Sequence, residues 1–147
     1  MTTQPNGKPL EILIVEDNPD DAELIIEAMK CTQIRWQSTV IDDGAEALEY
    51  LSHVGKYPGV NRPDLIILDL NLPKKDGREV LAQIKSDNML KRIPVVVLTT
   101  SKSERDVLSA YDAHANCYIV KPLNLDQLLN VAKSIESWLT AIKLPSR

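Results

Sequence analysis

The chain has 147 residues, 44% of them hydrophobic and 26% charged, the proportions of a single globular domain with a real core. Its formal charge of −4 argues against a nucleic-acid surface. Cys31 and Cys117 are the only cysteines and lie in unlike contexts, which argues against a disulfide framework and fits the cytoplasm; no apolar run approaches the roughly 20 residues of a membrane span.

Residues 1–9 are polar, lack the apolar stretch of a signal peptide, and read as a flexible tail. Glu11–Val15 is apolar after its first residue and reads as a strand buried on both faces. Glu16-Asp17-Asn18-Pro19 follows. Asn18 is a natural cap and Pro19 suits a first helical turn, so a helix runs to about Lys30 with Ala22, Ile25, Ile26 and Met29 inward. Trp36–Ile41, rich in β-formers, reads as an edge strand. Asp43-Gly44 opens a second helix with Ala45, Leu48 and Leu51 on its apolar side.

The stretch 53–63 holds two glycines and two prolines and reads as a long surface loop. Asp64–Asp69 is then a short apolar strand ending in an acid, with Pro73 barring its extension. Val80, Leu81 and Ile84 mark a third helix after Asp76-Gly77, and Val95–Leu98 is a fourth strand ending at Thr99. A fourth helix is expected at Ser103–Ala113, with Val107, Leu108 and Tyr111 on one side. A fifth strand at Cys117–Val120 runs into Lys121-Pro122, and a last helix runs to Ile142 with Asn124 as its cap.

Five repeats of strand then helix give a parallel sheet with helices on both faces and right-handed crossovers. The first strand, with no outward polar residue, belongs at the centre. Such sheets bind ligands at the carboxyl ends of their strands, beside the switch point. Those ends supply Glu16 and Asp17, then Asp69, Thr99 and Lys121. Taken singly, each has an ordinary structural explanation: Asp69 as a turn cap, Glu16 and Asp17 as first-turn acids, Lys121 as a solvated lysine. Together they form an oxygen-rich cluster whose carboxylates repel one another unless a cation lies among them. Oxygen ligands and the lack of an alternating acidic loop favour Mg²⁺ over calcium. A metal, a lysine and a hydroxyl suit a phosphoryl group, with Asp69, the most central carboxylate, as its nucleophile.

With these pieces in this order, the chain resembles the receiver domains of two-component response regulators, from Ile12 to the last helix. The segment from Asp69 to Arg78, with the long loop before it, looks most like the small regulators paired with cyanobacterial phytochromes. The resemblance implies a flavodoxin-like three-layer α/β sandwich with strand order 2-1-3-4-5, and a receiver over residues 10–143 between tails 1–9 and 144–147. It implies that Asp69 accepts a phosphoryl group from a sensor histidine kinase of phytochrome type. Asp17, Asp69 and the backbone carbonyl of Asn71 would hold Mg²⁺, with Glu16 acting through water. Lys121 would pair with the phosphoryl group across a cis Lys121-Pro122 bond, and Thr99 and Tyr118 would form the switch pair.

Three other functions compete for the same residues. An aspartyl-phosphate phosphohydrolase would need an acid two residues after the nucleophile, where this chain has Asn71. A receiver used as a phosphate-independent scaffold would carry the same acids. A flavin-binding module would need a glycine-rich phosphate loop where Glu16–Asp21 is strongly acidic. The residues after the last helix leave no room for a DNA-binding domain, so the signal is expected to leave through the receiver's own surface. In the last helix Leu125, Leu128, Leu129, Ala132 and Leu139 form the expected sheet-facing side. Val131, Trp138 and Ile142 form a second stripe, a candidate surface for a homodimer through the fourth helix, fifth strand and last helix.

Overall fold

Both faces of the central strands are covered, and that accounts for their nearly unbroken apolar sequence. The computed structural model describes residues 9–53, 62–74, 76–100 and 117–141, the last four as backbone only. In chain order these form β1 (Leu10–Val15), α1 (Pro19–Met29), β2 (Trp36–Ile41), α2 (Gly44–Ser52), β3 (Leu65–Asp69), α3 (Gly77–Ser86), β4 (Val95–Thr99), β5 (Cys117–Val120) and α4 (Leu125–Ala141). The expected helix at Ser103–Ala113, residues 54–61 of the loop, the side chains of Trp138 and Leu139, and Ile142 lie outside the described residues.

The strands form one parallel sheet in the order β2-β1-β3-β4-β5, so the order implied by the resemblance holds, and β2 is an edge as its sequence suggested. Side chains alternate across the sheet and divide the core in two. Leu13, Val15, Ile66, Leu68, Val95 and Val97 pack with α2 and α3. Leu10, Ile12, Ile14, Leu65, Ile67, Val96 and Leu98 pack with α1 and α4. Each fully buried Leu, Ile or Val contributes about 1.5–3 kcal/mol relative to an exposed one. The register pairs Val15 with Leu68, Asp69 with Leu98, and Thr99 with Val120. That alignment brings the residues at or just past each strand's carboxyl end to one edge of the sheet.

Helix phases differ in places from the expected ones. In α2 the buried residues are Gly44, Ala47 and Leu51, while Leu48 is half-buried and Ala45 exposed. Asp43 caps this helix by accepting from Glu46 N at 2.7 Å, which starts it at Gly44 and turns that small residue inward. In α1, Ala28 joins Ala22, Ile25 and Met29 inside, and Ile26 is only partly covered. In α4 the buried residues are Leu128, Ala132 and Ile135, whereas Leu125 is 41% exposed. A helical side chain covers the turn before its own Cα, and Leu125, as the first helical residue, has no such turn to cover. The Asn124 cap is present: its Oδ1 accepts from Gln127 N at 2.8 Å. β1 starts at Leu10, one residue earlier than expected.

Gly77 sets how closely α3 approaches the end of β3. Its N–H donates to the Leu70 carbonyl at 3.1 Å. A Cβ at position 77 would lie 2.3 Å from the Asp69 carbonyl oxygen and 2.5 Å from Leu70 Cα, both main-chain atoms. Gly77→Ala is therefore expected to destabilise the protein by about 1–3 kcal/mol through overpacking. Urea unfolding should show a lower midpoint at unchanged slope; an unchanged midpoint would show that α3 can shift away freely.

Candidate functional site

Main-chain hydrogen bonds fix the site residues at or just past the carboxyl ends of their strands. Glu16 N donates to Ile41 O at 2.9 Å, Leu70 N to Leu98 O at 2.8 Å, and Lys121 N to Thr99 O at 2.7 Å. The turn after β1 is built by capping: Asn18 Oδ1 accepts from Asp20 N at 2.9 Å and Asp21 N at 3.3 Å, and Glu16 Oε2 accepts from Asn18 N at 3.2 Å. Glu16 is therefore turned inward, while Asp17 is exposed at the rim. The Lys121-Pro122 bond is cis, as expected.

Four acids and one lysine meet here. Lys121 Nζ lies 2.5 Å from Glu16 Oε1, 2.9 Å from Asp21 Oδ2 and 3.1 Å from Asp69 Oδ2. Glu16 and Asp69 are 2% and 1% exposed, so water screens them poorly. Carboxylate oxygens of Glu16, Asp17 and Asp69 lie within 4.8 Å of one another. If all ionise, Glu16, Asp17, Asp21 and Asp69 carry −4 against +1 on Lys121, a net −3. Burial, reinforced by the hydrogen bond and charge of Asp69 and opposed by Lys121, pushes the Glu16 carboxyl from 4.5 up to about 8. Burial alone would lower Lys121, but its bonds to Glu16 and Asp21 and the charges of Asp69 and Glu16 outweigh this and raise it. An all-oxygen donor set with surplus negative charge fits a hard divalent cation.

Asp69 is held at both oxygens. Oδ1 accepts from Asn71 N at 2.8 Å, and Oδ2 faces Lys121. The Asn71 side chain reaches the end of β4, where its Oδ1 accepts from Thr99 Oγ1 at 3.2 Å, Thr100 N at 3.0 Å and Thr100 Oγ1 at 3.1 Å. Thr99 is fully buried. Tyr118 is half-buried on β5, opposite Val97 and two residues before the partner of Thr99, and packs on the α2–α3 side of the core.

Glu16, Asp17, Asp69, Asn71, Thr99 and Lys121 are thus brought together. Val131 is not: it is half-buried at the opposite end of the sheet, lining a cavity of about 500 Å³ with Leu65, Pro94, Val96, Cys117 and Ile135. Sequence reasoning missed Asp21 and Thr100. Asp21 stands in the first turn of α1, where nothing local sets it apart from an acid favoured by the helix dipole. A second acidic group, Asp42, Asp43 and Glu46, is accounted for by the α2 cap and by Lys74 at 3.6 Å from Asp43.

The response regulator receiver domain family matches residues 12–133, and the chain belongs to that family. Among curated proteins it is similar to the response regulator Rcp1 of a Synechocystis strain, 50% identical over 142 residues, which are 96% of this chain and 97% of that protein. Among solved structures it is similar to the phosphorylated cyanobacterial phytochrome response regulator RcpA, with 53% identity, a TM-score of 0.82, and coverage of 95% of this chain and 100% of that one. The Mn²⁺-bound form of Rcp1 matches with 50% identity and a TM-score of 0.81, over 94% of this chain and 100% of that one. No helix among the described residues is long and apolar enough to cross a membrane.

The raised Glu16 carboxyl gives the metal-free protein a definite pH response. Between about 4.5 and about 8 the folded state holds a proton that the unfolded state has released. That contribution to stability is complete below 4.5 and is lost as pH rises through 8. Thermal unfolding in chelator should show the melting temperature falling across this window, and Glu16→Gln should flatten the fall. The same slope in both proteins would assign it to another group.

Proposed function

We propose that the chain is a phosphoacceptor in a two-component relay, with Asp69 as the acceptor and a sensor histidine kinase of phytochrome type as the donor. The observation that carries this reading is the convergence of Glu16, Asp21 and Asp69 on Lys121 Nζ at the carboxyl edge of a receiver sheet. The similarity to Rcp1 and RcpA supports the kinase class, because RcpA is described as phosphorylated and as a phytochrome response regulator.

In this mechanism an Asp69 carboxylate oxygen attacks the phosphorus of a phosphohistidine. The N–P bond breaks, an acyl phosphate forms on Asp69, and the imidazole leaves with the bonding pair. Lys121, already 3.1 Å from Asp69 Oδ2, pairs with the phosphoryl oxygens. Thr99 donates its hydroxyl to another of those oxygens, and Tyr118 responds on the neighbouring strand. Asp17, Asp69 and the Asn71 carbonyl, with Glu16 through water, would hold Mg²⁺, and the ion would supply charge neutralisation for the phosphoryl oxygens. Asp21 holds Lys121 from the α1 side. The second acid of a phosphohydrolase has no counterpart, since position 71 is an amide whose oxygen is engaged by Thr99 and Thr100. The chain therefore takes up one phosphoryl group and does not turn over a substrate.

A symmetric homodimer through the 103–113 segment, β5 and the C-terminal helix, with Val131, Trp138 and Ile142 as its apolar contacts, is the arrangement we favour.

Incubation with acetyl phosphate and Mg²⁺ should add one phosphoryl group by intact mass, and Asp69→Asn should add none. Asn keeps the shape and lacks the nucleophilic charge. The labelled sample should sediment as a dimer, weakened by Trp138→Ala. Equal labelling of Asp69→Asn would overturn the acceptor; a labelled protein that stays monomeric at high concentration would overturn the dimer.

A further inference from the structure

The Asn71 side chain stands between the acceptor and the switch threonine. Its backbone N–H holds Asp69 Oδ1 at 2.8 Å, and its carboxamide oxygen accepts from the Thr99 hydroxyl at 3.2 Å. Thr100 fixes that oxygen toward β4 through its N–H at 3.0 Å and its hydroxyl at 3.1 Å. A threonine hydroxyl has one proton to donate. Thr99 Oγ1 therefore cannot donate at once to Asn71 and to a phosphoryl oxygen on Asp69. The two contacts exclude each other by valence, whatever the backbone does.

We infer that the Asn71 carboxamide is a latch: it holds the Thr99 hydroxyl in the phosphoryl-free arrangement and must give it up when Asp69 is modified. This rests on the reading of Asp69 as phosphoacceptor. Asn71 acts through Thr99 and is a positioning residue in this role. The latch opposes phosphorylation-like states by the strength of one part-buried hydrogen bond. Its two further bonds to Thr100 keep the carboxamide in place, so that Thr99 can return to it after dephosphorylation.

The test is the affinity for beryllium fluoride, a phosphoryl mimic, with Mg²⁺ in excess. It is measured on wild type, Asn71→Ala, Thr99→Val and the double variant, each checked for folding by circular dichroism. Asn71→Ala should bind the mimic about three- to tenfold more tightly, the range set by one lost hydrogen bond. In the Thr99→Val background the same substitution should have no effect, because the hydroxyl being released is gone. A residue that merely braces the loop would alter affinity equally in both backgrounds, and that result overturns the latch. So does unchanged or weaker binding by Asn71→Ala. If a variant fails to fold, the wild type still decides: the ¹³C resonance of the Asn71 side-chain carbonyl should move upfield when the mimic binds, and an unchanged resonance overturns the proposal. A wild type that takes up no mimic overturns the phosphoacceptor reading and the latch with it, whereas uptake without tightening in Asn71→Ala overturns the latch alone.

Discussion

Lys121 Nζ sits among Glu16, Asp21 and Asp69, and the rest of the molecule can be understood as the apparatus that keeps it there. Buried ion clusters of this kind are poor sources of stability, because desolvation consumes most of what the charges return. With acids in excess, the cluster opposes folding unless something else compensates. The compensation comes from the sheet, whose central strands bury their side chains on both faces. Strand register then does the positioning: parallel pairing of β1, β3, β4 and β5 sets the carboxyl ends side by side, and one main-chain bond beyond each end fixes the chemistry.

The acids divide their work by environment. Glu16 is buried and faces Lys121, so its carboxyl holds a proton into the neutral range in the absence of a cation. Asp17, one residue later, is exposed at the mouth. Asp69 is buried, yet both its oxygens are engaged by fixed donors, the Asn71 N–H and Lys121. A carboxylate held in this way keeps one orientation, which is what the proposed attack on phosphorus requires. Gly77 contributes from outside the cluster, by letting α3 pack against the Asp69 carbonyl with no side chain between.

Much of this was legible in the sequence, for identifiable reasons. β1, β3 and β4 announced themselves because burial on both faces leaves no polar residue to break the run, and the acid or hydroxyl that ends each run marked the site. The Asn18 and Asn124 caps are local, within three residues of the amides they serve, so the sequence displays them directly. Contacts between distant residues were not visible. Asp21 meets Lys121 across a hundred positions of sequence, and as a first-turn acid it was indistinguishable from one favoured by the helix dipole. The Asn71–Thr100 contact hides for the same reason. In α2 two of the three inward residues are glycine and alanine, too small to signal a face, so the larger Leu48 misplaced the stripe. Leu125 had the right phase and the wrong end of the helix.

The central claim is that the site carries more negative charge than Lys121 can balance, and that a divalent cation makes up the difference. Calorimetric titration of Mg²⁺ into the phosphoryl-free protein, beside Asp69→Asn, tests it most directly. The account predicts saturable binding of one ion per chain, weakened at least about tenfold in Asp69→Asn, where a buried charge and a ligand are lost together. The absence of saturable binding in the wild type, or equal affinity in the two proteins, would contradict it.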